Sequence, residues 1–466
     1  MKKSTERNSE SMDAIKRAFV EFLTLPSLII IGFLLLALAT YALDRSDLVW
    51  LLPARTLLKA HVFADAKATS DLLSAIAAGI ISVTSLTITL LLIVVQQSAA
   101  SMTAQVFDQF LRRKTNQVYF GFFVGLALYS LITLATVNDP FNPVWGGFVA
   151  FILTVIALYL LVLLMYTTIN QMRPVEIIEA IHDHILTSRE KQLALIKRTR
   201  RTSQFKGAFQ RSIYCDKHGY VANINIENLD DSLSKITAEY EVVLLLSIGG
   251  FIAYGDVLAE VTVNDRESEE SIVKAILSAV HIDRQRDIDF DTAYGIEQLE
   301  TIAWTSISTA KSNPAPGLLT IRCLRNILAR WAAAPPLVYS KQLPIVYVDN
   351  TSDKLMDAFE TLAIASSESM QHQNFIEILH SITLLFDRMS TQLQQRTEDL
   401  LLRILSALGD HVLTFELEKA LYAVSKKMEQ SGKREVAQAI EKATEQLAQS
   451  VGKLNSRSTR ATAYKD

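Results

Sequence analysis

The chain has 466 residues, of which 50% are hydrophobic and 20% are charged, and its formal net charge is -3 at pH 7. At about 100 to 200 residues per domain, this length allows roughly two to four folding units. The near-neutral charge excludes a global attraction for nucleic acid. The two isolated cysteines, Cys215 and Cys323, exclude a disulfide framework and a thiolate zinc site.

Four apolar stretches within residues 1–172 are long enough to cross a bilayer. A hydrocarbon core about 30 Å thick requires about 20 apolar residues in a helix, because lipid offers no partner to backbone amides and carbonyls. The stretches are residues 26–43, 72–95, 118–137 and 144–169, and none contains Asp, Glu, Lys, Arg or His. The sequence therefore predicts a four-helix transmembrane domain over residues 1–172.

The distribution of basic residues predicts the orientation, since short cytoplasmic loops carry an excess of Lys and Arg. The N-terminal arm is basic, the loop after the second stretch contains Arg112, Arg113 and Lys114, and a positive run follows the fourth stretch. The turn at residues 138–143 contains neither Lys nor Arg. We therefore expect both termini in the cytoplasm and residues 44–71 on the opposite side.

The second span carries small and hydroxylated side chains along one side. No charged residue occurs between Asp71 and Asp108, so this helix is predicted to continue beyond the membrane plane. The side chains alternate three and four positions apart, which places them on one stripe of a helix. They are Ala75, Ala78, Ser82, Ser85, Thr89, Leu92 and Gln96.

This stripe has two interpretations. Small side chains let helices pack closely, which is the more frequent reason for such a pattern in membranes. Hydroxyls can also line a water-filled path, with apolar Leu92 as the constriction. The pore-lining candidates are Ser82, Ser85, Thr89, Leu92 and Gln96. The two interpretations overlap in a homo-oligomer assembled around this helix, and the charge-free spans argue against a proton-driven mechanism.

A basic juxtamembrane helix and linker are predicted over residues 173–212, directly after the last span. Its basic residues are Arg189, Lys191, Lys197, Arg198, Arg200, Arg201, Lys206 and Arg211. Such a cluster suits an anionic lipid surface, at about 1 kcal/mol per basic residue. Topology determination alone would also explain it. Nucleic-acid binding is not expected, because no aromatic stacking pattern accompanies the charge.

A small β domain is predicted over residues 213–268, where the apolar period changes to two. Glycines punctuate the segment GGFIAYGDVLAEV, which begins at Gly249. This segment resembles the closing hairpin of lipoyl- or biotinyl-type domains, and the resemblance implies a β-sandwich or hammerhead-like fold. Those carriers present a modified lysine at the hairpin tip. The chain has no lysine between Lys235 and Lys274, so the carrier function is not expected.

Residues 283–303, DRQRDIDFDTAYGIEQLETIA, begin with alternating charges and continue as a helix. Asp287, Asp289 and Asp291 suggest a cation site, but they lack the glycine turn and the terminal glutamate of a calcium loop. An internal ion-pair network with the neighbouring arginines is favoured, because buried charges require partners. The expected members of a polar site on the cytoplasmic side are Arg284, Arg286, Asp291, Gln298, Ser308, Ser312 and Asn313.

Taken in order, these features resemble a bacterial family of predicted membrane proteins, domain of unknown function 2254. The resemblance is carried by residues 283–303 and by residues 72–131, which read LLSAIAAGIISVTSLTITLLLIVVQQSAASMTAQVFDQFLRRKTNQVYFGFFVGLALYSL. In the following loop Ser308 and Pro314 agree with the family pattern, and Asn313 stands where that pattern has an acid. The resemblance implies a location in the bacterial inner membrane, a topology and a fold, but no activity.

Apolar periodicity predicts a mainly helical cytoplasmic domain over residues 269–451, followed by a polar, disordered tail at 452–466. The predicted fold class is therefore a membrane α-helical protein with four transmembrane helices. It continues as a cytoplasmic α+β region with a small β-sandwich or hammerhead-like domain and C-terminal helices.

The sequence lacks the enzyme motifs that would indicate phosphate, dinucleotide, zinc-protease, dithiol or serine-hydrolase chemistry. His182 and His184 lie two positions apart and would face different sides of a helix, so they cannot share a metal. We expect no enzyme activity, no cofactor and no metal. The favoured function is an oligomeric channel or transport module with a sensing domain. A membrane-anchored sensor or scaffold is the alternative, and a membrane-tethered enzyme is a third possibility.

Overall fold

The computed structural model describes residues 23–46, 52–61, 63–101, 114–171, 173–236, 238–265, 268–308, 313–334, 342–408 and 412–450. The chain divides into two compact units, Met1–Arg173 and Pro174–Asp466. We call them the membrane unit and the C-terminal unit.

The membrane unit is built from helices. They are α1 (Thr24–Arg45), α2 (Leu52–His61), α3 (Ala66–Ser101), α4 (Lys114–Thr136) and α5 (Val144–Gln171). Within the described residues, α1, α3, α4 and α5 are each long and apolar enough to cross a membrane. Four apolar helices of spanning length are therefore present, as the sequence predicts. At 36 residues, α3 is longer than the roughly 20 residues that a bilayer requires.

Helix α4 forms the centre of the membrane unit. Half of its most apolar window is buried, compared with 22% for α1, 33% for α3 and 17% for α5. It packs against all three, and its glycines permit a close approach to α1. A Cβ atom at Gly125 would lie 2.4 Å from Cδ2 of Phe33, and one at Gly121 would lie 2.9 Å from Cα of Pro26.

A buried carboxylate joins the end of α1 to the start of α5. Asp44 is 2% exposed, and its two oxygens accept the backbone N–H groups of Trp145 and Gly146 at 2.9 Å each. These amides are among the first of α5 and have no partner within the helix, so the carboxylate satisfies them and complements the helix dipole. Nearby, Thr69 Oγ1 donates to Asn142 Oδ1 at 2.7 Å. The polar groups at this end of the unit are thus paired internally.

The C-terminal unit begins with helix α6 (Pro174–Arg198), which is followed by seven strands and two helices that pack on them. They are β1 (Phe209–Tyr214), β2 (Gly219–Ile224), α7 (Ile226–Leu233), β3 (Tyr240–Leu244), β4 (Phe251–Ile252), β5 (Val257–Val263), α8 (Glu269–Ala279), β6 (Val280–Asp283) and, much later in the chain, β7 (Ile345–Val346).

The strands form two small sheets. One has the order β1-β5-β3-β7 and the other the order β4-β2-β6. The pairs are antiparallel except β3 with β7, which are parallel. Residues with alternating burial, such as Val242, Leu244, Val261 and Val263, form the core between strands and helices. A small sheet region was predicted and is present, whereas the sandwich or hammerhead form is not confirmed.

The remaining helices complete the C-terminal unit. They are α9 (Thr292–Ser308), α10 (Ala315–Ala333), α11 (Thr351–Glu368), α12 (His372–Leu385), a 3-10 turn (Phe386–Arg388), α13 (Thr391–Ala407), α14 (Phe415–Gln430) and α15 (Arg434–Ser450). Helix α6 packs against α9 and α10. The approach to α9 is close, because a Cβ atom at Gly295 would lie 2.4 Å from Cγ1 of Ile185.

The close contact between α1 and α4 can be tested by substituting glycines in these helices. Gly125→Ala should destabilise the membrane unit by about 1 to 3 kcal/mol, because the added methyl overlaps the ring of Phe33. Gly32→Ala, in the same packed pair of helices, meets nothing within 4 Å and should be neutral or slightly stabilising. Thermal unfolding in detergent measures both. Equal melting temperatures for the two variants would contradict the close packing of α1 on α4.

Candidate functional site

Helix α3 presents two different faces within the single chain. One face packs inward through side chains that are at most 7% exposed, namely Leu73, Ile76, Ala77 and Ile80. The predicted stripe lies on the opposite face, and its described members are all exposed. They are Ala75, Ala78, Ser82, Ser85, Thr89 and Leu92, the last at 52%. The side chain of Gln96 lies outside the described residues.

The hydroxyls of this stripe are bonded to their own helix. Ser82 Oγ donates to the carbonyl of Ala78 at 2.9 Å, and Thr89 Oγ1 donates to the carbonyl of Ser85 at 3.0 Å. These bonds satisfy the hydroxyl protons in apolar surroundings, while the hydroxyl oxygens retain acceptor capacity. A Cβ atom at Gly79 would meet nothing within 4 Å. The described part of the stripe therefore does not pack the helices of one chain together.

In the C-terminal unit, a buried ion pair lies at the start of α9. Asp291 is 0% exposed, and its carboxylate accepts Nε–H of Arg286 at 2.7 Å and the backbone N–H of Tyr294 at 3.0 Å. Arg286 also pairs with Glu297, and its guanidinium lies 4.5 Å from the ring centre of Tyr294. Asp291 thus satisfies one of the first amides of α9 and holds the arginine at the same time.

The glycine-rich hairpin segment lies directly against this ion pair. Gly249 has a φ of +82°, and a Cβ atom there would lie 2.0 Å from Oδ2 of Asp291 and 2.7 Å from Nη2 of Arg286. Its backbone N–H donates to the carbonyl of Val221 at 2.8 Å. Glycine is needed here both for the left-handed backbone and for the space. Two segments that the sequence analysis treated separately are therefore adjacent.

The pKa values of this pair reflect burial and mutual attraction. Burial raises the pKa of Asp291, although the hydrogen bond and charge of Arg286 oppose that effect. Burial would lower the pKa of Arg286, but its bonds to Asp291 and Glu297 raise it. Loss of Arg286 would leave the buried charge of Asp291 uncompensated, which typically costs about 3 to 5 kcal/mol.

The other predicted members of the polar site lie elsewhere. Arg284 is exposed, and its backbone N–H donates to Oδ1 of Asp283 at 2.6 Å. Gln298 is buried, and its Oε1 has no hydrogen-bond partner among the described residues. Ser308 ends α9, and the 17 residues of that helix separate it from Asp291 by about 26 Å.

Asn313, which lies just before α10, is bonded to residues close to it in sequence. The Asn313 carbonyl accepts the hydroxyl of Ser306 at 2.5 Å, and Oδ1 of Asn313 accepts the N–H of Ala315 at 3.3 Å. Ser312 lies outside the described residues. Within the described part of the chain, no group of three or more His, Cys, Asp and Glu side chains could hold a metal ion. The structure therefore brings Arg286 and Asp291 together but does not gather the predicted residues into one site.

The structure contains a second, half-buried ion pair, which no sequence pattern predicts. Arg189 on α6 donates to both carboxylate oxygens of Asp349 at 2.7 and 3.1 Å, and its guanidinium lies 5.0 Å from the ring of Trp331. Burial alone would raise the pKa of Asp349, but the bonds and charge of Arg189 lower it. Beside it, burial raises the pKa of Tyr347 to about 12. The two ion-paired residues are 160 positions apart, so no local pattern could connect them.

The basic run after the last span is largely engaged inside the C-terminal unit. Four of its arginines form ion pairs with carboxylates of that unit. The pairs are Arg189 with Asp349, Arg198 with Asp230, Arg200 with Glu241, and Arg211 with Glu269. Lys197, Arg201 and Lys206 are exposed. Anionic lipid binding by this run stays a prediction, with fewer side chains available for it than the sequence suggested.

The contact between the hairpin and the Asp291–Arg286 pair can be tested by substituting the two glycines of the hairpin that have a positive φ. Gly249 and Gly255 have similar backbone angles, with φ of +82° and +88°, but a Cβ atom at Gly255 meets nothing within 4 Å. Gly255→Ala should cost only the backbone strain, about 1 to 2 kcal/mol. Gly249→Ala should cost about 3 kcal/mol or more, because it must also displace the Asp291–Arg286 pair.

Chemical denaturation of the full chain in detergent compares the two glycine variants. Asp291→Ala in the same assay should resemble Gly249→Ala. Equal stability losses for both glycine variants would show that the ion pair does not lie against the hairpin. An Asp291→Ala protein that unfolds like the parent would contradict a structural role for that carboxylate.

Comparison with known proteins identifies the family. No curated protein and no solved structure matches the chain significantly. A family model described as "Predicted membrane protein (DUF2254)" matches residues 20–379, which is more than half of the chain. The match includes α1 to α5, the sheet region and both ion pairs, and it ends within α12. The chain therefore belongs to this family of predicted membrane proteins.

Proposed function

We propose that this protein is one subunit of a homo-oligomeric channel or transport module in the bacterial inner membrane, regulated by its C-terminal unit in the cytoplasm. The observation that carries the proposal is the exposed stripe of small and hydroxylated residues on α3. Membership of a membrane protein family supports the location in a bilayer.

The exposed face of α3 differs from the exposed faces of the other spans. Helix α5 exposes large apolar side chains such as Leu158 and Val162, at 53% and 66%, as expected for a helix that faces lipid. The α3 stripe instead presents alanine, serine and threonine before it reaches Leu92. Large apolar side chains flank it on both sides, namely Ile81, Leu86, Ile88 and Ile93. Small residues at an interface let two backbones approach closely, so this face suits contact with another copy.

Several copies meeting through this face would surround a central path. Ser82, Ser85 and Thr89 would offer hydroxyl oxygens to a hydrated solute, because their protons can bond to the helix backbone. Leu92 would form an apolar ring, which closes a pore by excluding water. The stripe contains no ionisable group, so we propose passive conduction rather than a proton relay.

Helix α6 supplies a physical connection between regulation and transport. It begins at Pro174, shortly after α5 ends at Gln171. Its Ser188 is hydrogen-bonded to Thr292 at 3.1 Å, and its Gln192 donates to the carbonyl of Phe290 at 3.1 Å. A ligand or modification that changed the start of α9 would therefore act on α6, and through the chain on α5.

Orientation and partners complete the proposal. We propose cytoplasmic termini, contact of Lys197, Arg201 and Lys206 with anionic lipids, no nucleic-acid partner and no enzyme activity. Exposed lysine and arginine side chains near a membrane surface gain about 1 kcal/mol each from anionic lipid. The absence of enzyme motifs from the sequence supports the last point.

A membrane-anchored sensor or scaffold without transport is the second candidate. It is favoured by an open, polar depression of the surface between α11 and α13. In this depression Arg403 donates to both oxygens of Glu360 at 2.6 and 2.7 Å, and Arg396 pairs with Asp357 at 2.5 Å. Paired charges of both signs suit a charged peptide or small zwitterion. Recovery of such a partner without any flux would favour this candidate.

The proposed constriction generates the third prediction. Leu92→Ser should make the pore leaky, because a hydroxyl ring hydrates where a leucine ring excludes water. Leu158→Ser is the matched control, since both leucines are about half exposed, at 52% and 53%, and lie on different spans. Ion efflux from liposomes that contain the purified proteins measures the difference. We expect efflux several times faster for Leu92→Ser than for the parent and for Leu158→Ser.

Equal efflux from all three liposome preparations would contradict the constriction at Leu92. If the three preparations show equal efflux and the parent protein also conducts no ions under voltage, tension or added ligand, the sensor candidate is favoured.

The fourth prediction concerns orientation. Reporters fused to chains truncated at residue 47 and at residue 172 should lie on opposite sides of the membrane, because one span precedes the first position and four precede the second. Alkaline phosphatase should be active in the first fusion, and a cytoplasmic fluorescent reporter should be active in the second. Signals from the same side would contradict the four-span topology, and signals reversed between the two fusions would contradict cytoplasmic termini.

A further inference from the structure

We propose that a groove on the membrane unit binds one acyl chain of a phospholipid and places the lipid phosphate near Arg45. The groove lies between α1, α4 and the start of α5, and its volume is about 250 Å³. This site is independent of the α3 stripe, so it does not rest on the proposed transport function.

The side chains along the α1 wall follow the polarity of a lipid. Leu34, Leu38, Tyr41 and Arg45 are spaced four, three and four positions apart, so they share one strip of the helix. The first three line the groove, and Arg45 lies beyond it with its guanidinium 5.6 Å from the ring centre of Tyr41. This order, from apolar to aromatic to cationic, matches acyl chain, interface and phosphate.

The threonine hydroxyls and the carboxylate within the groove already have hydrogen-bond partners in the membrane unit. The hydroxyls of Thr40, Thr133 and Thr136 each donate to a carbonyl of their own helix. Both oxygens of Asp44 accept backbone amides of α5. An occupant therefore meets no unpaired donor among these groups and displaces none of their hydrogen bonds. Such a groove favours a hydrocarbon chain over a polar solute.

The opening and the size of the groove also suit a lipid chain. Leu34, Leu38 and Ile132 at its rim are 39%, 66% and 39% exposed, so it opens sideways on a membrane-spanning surface. Its volume is below the roughly 300 to 1,000 Å³ typical of small-molecule pockets. A single chain segment fits such a space better than a compact ligand does. The surrounding bilayer supplies phospholipid at this surface without any further partner.

Photo-crosslinking tests the assignment with the full-length protein. The protein is placed in nanodiscs containing phosphatidylglycerol with a diazirine in one acyl chain, irradiated and digested, and the adducts are located by mass spectrometry. We expect adducts concentrated at residues 34–41 of α1 and 132–136 of α4. Ile132→Trp should reduce this labelling several-fold because the indole fills the groove. The control Ile156→Trp, at a similarly exposed position of α5, should leave it unchanged.

A second variant tests the position of the phosphate without altering the groove. Arg45→Gln, at an exposed position, should weaken retention of the same lipid about fivefold, which corresponds to about 1 kcal/mol for one basic residue at the lipid surface. The proposal would be overturned by adducts spread evenly over the exposed faces of α1, α4 and α5. Equal effects of Ile132→Trp and Ile156→Trp, or unchanged lipid retention by Arg45→Gln, would also overturn it.

Discussion

The hydrocarbon core of a bilayer offers no hydrogen-bond partner to polar groups, and the membrane unit is organised around this constraint. Its spans are unbroken helices, and serine and threonine side chains on α3 bond to the carbonyl four residues earlier. The carboxylate of Asp44 is placed at the end of a span, where two backbone amides of α5 bind it. Because these polar groups are hydrogen-bonded within the membrane unit, the packing of apolar side chains decides which helix faces are buried. Helix α3 then has one packed face and one exposed face, on which a stripe of mainly small side chains runs between larger apolar ones.

The C-terminal unit is held together by contacts between distant parts of the chain. Gly249 in the sheet region, Asp291 at the start of α9 and Asp349 before α11 each lie beside an arginine. One of those arginines, Arg189, belongs to α6, the helix that continues the chain from the membrane unit. Ser188 and Gln192 of the same helix bond to Thr292 and to the carbonyl of Phe290, so α6 and the start of α9 should behave as one rigid element.

Features that depend on composition or local period could be predicted from the sequence. The spans follow from apolar runs without charge, and the small sheet region follows from a change of period near residue 219. The parallel strand β7 could not be predicted, because it has two residues and pairs with β3 from about 100 positions later in the chain. The pairing of Arg189 with Asp349 could not be predicted for the same reason, because the two residues are 160 positions apart in the sequence.

The predicted polar site shows a second limit of sequence reasoning. Residues 284–313 are close in sequence, but helix α9 extends between its two groups and carries Ser308 away from Asp291. The basic run was likewise interpreted as a surface feature, whereas Arg198 and Arg200 have carboxylate partners inside the unit. A high local density of charged residues in the sequence does not identify the residues with which they form ion pairs in the folded protein.

In the proposed oligomer, the exposed face of α3 contacts other copies of the chain. Cysteine cross-linking in native membranes tests it most directly, using Ser85→Cys and Thr89→Cys, with the lipid-facing Leu158→Cys and the parent protein as controls. We predict covalent dimers for the two α3 variants and none for the controls. If cysteines at positions 85 and 89 form no dimer and also resist water-soluble thiol reagents, α3 faces lipid and the proposed contact between copies does not exist.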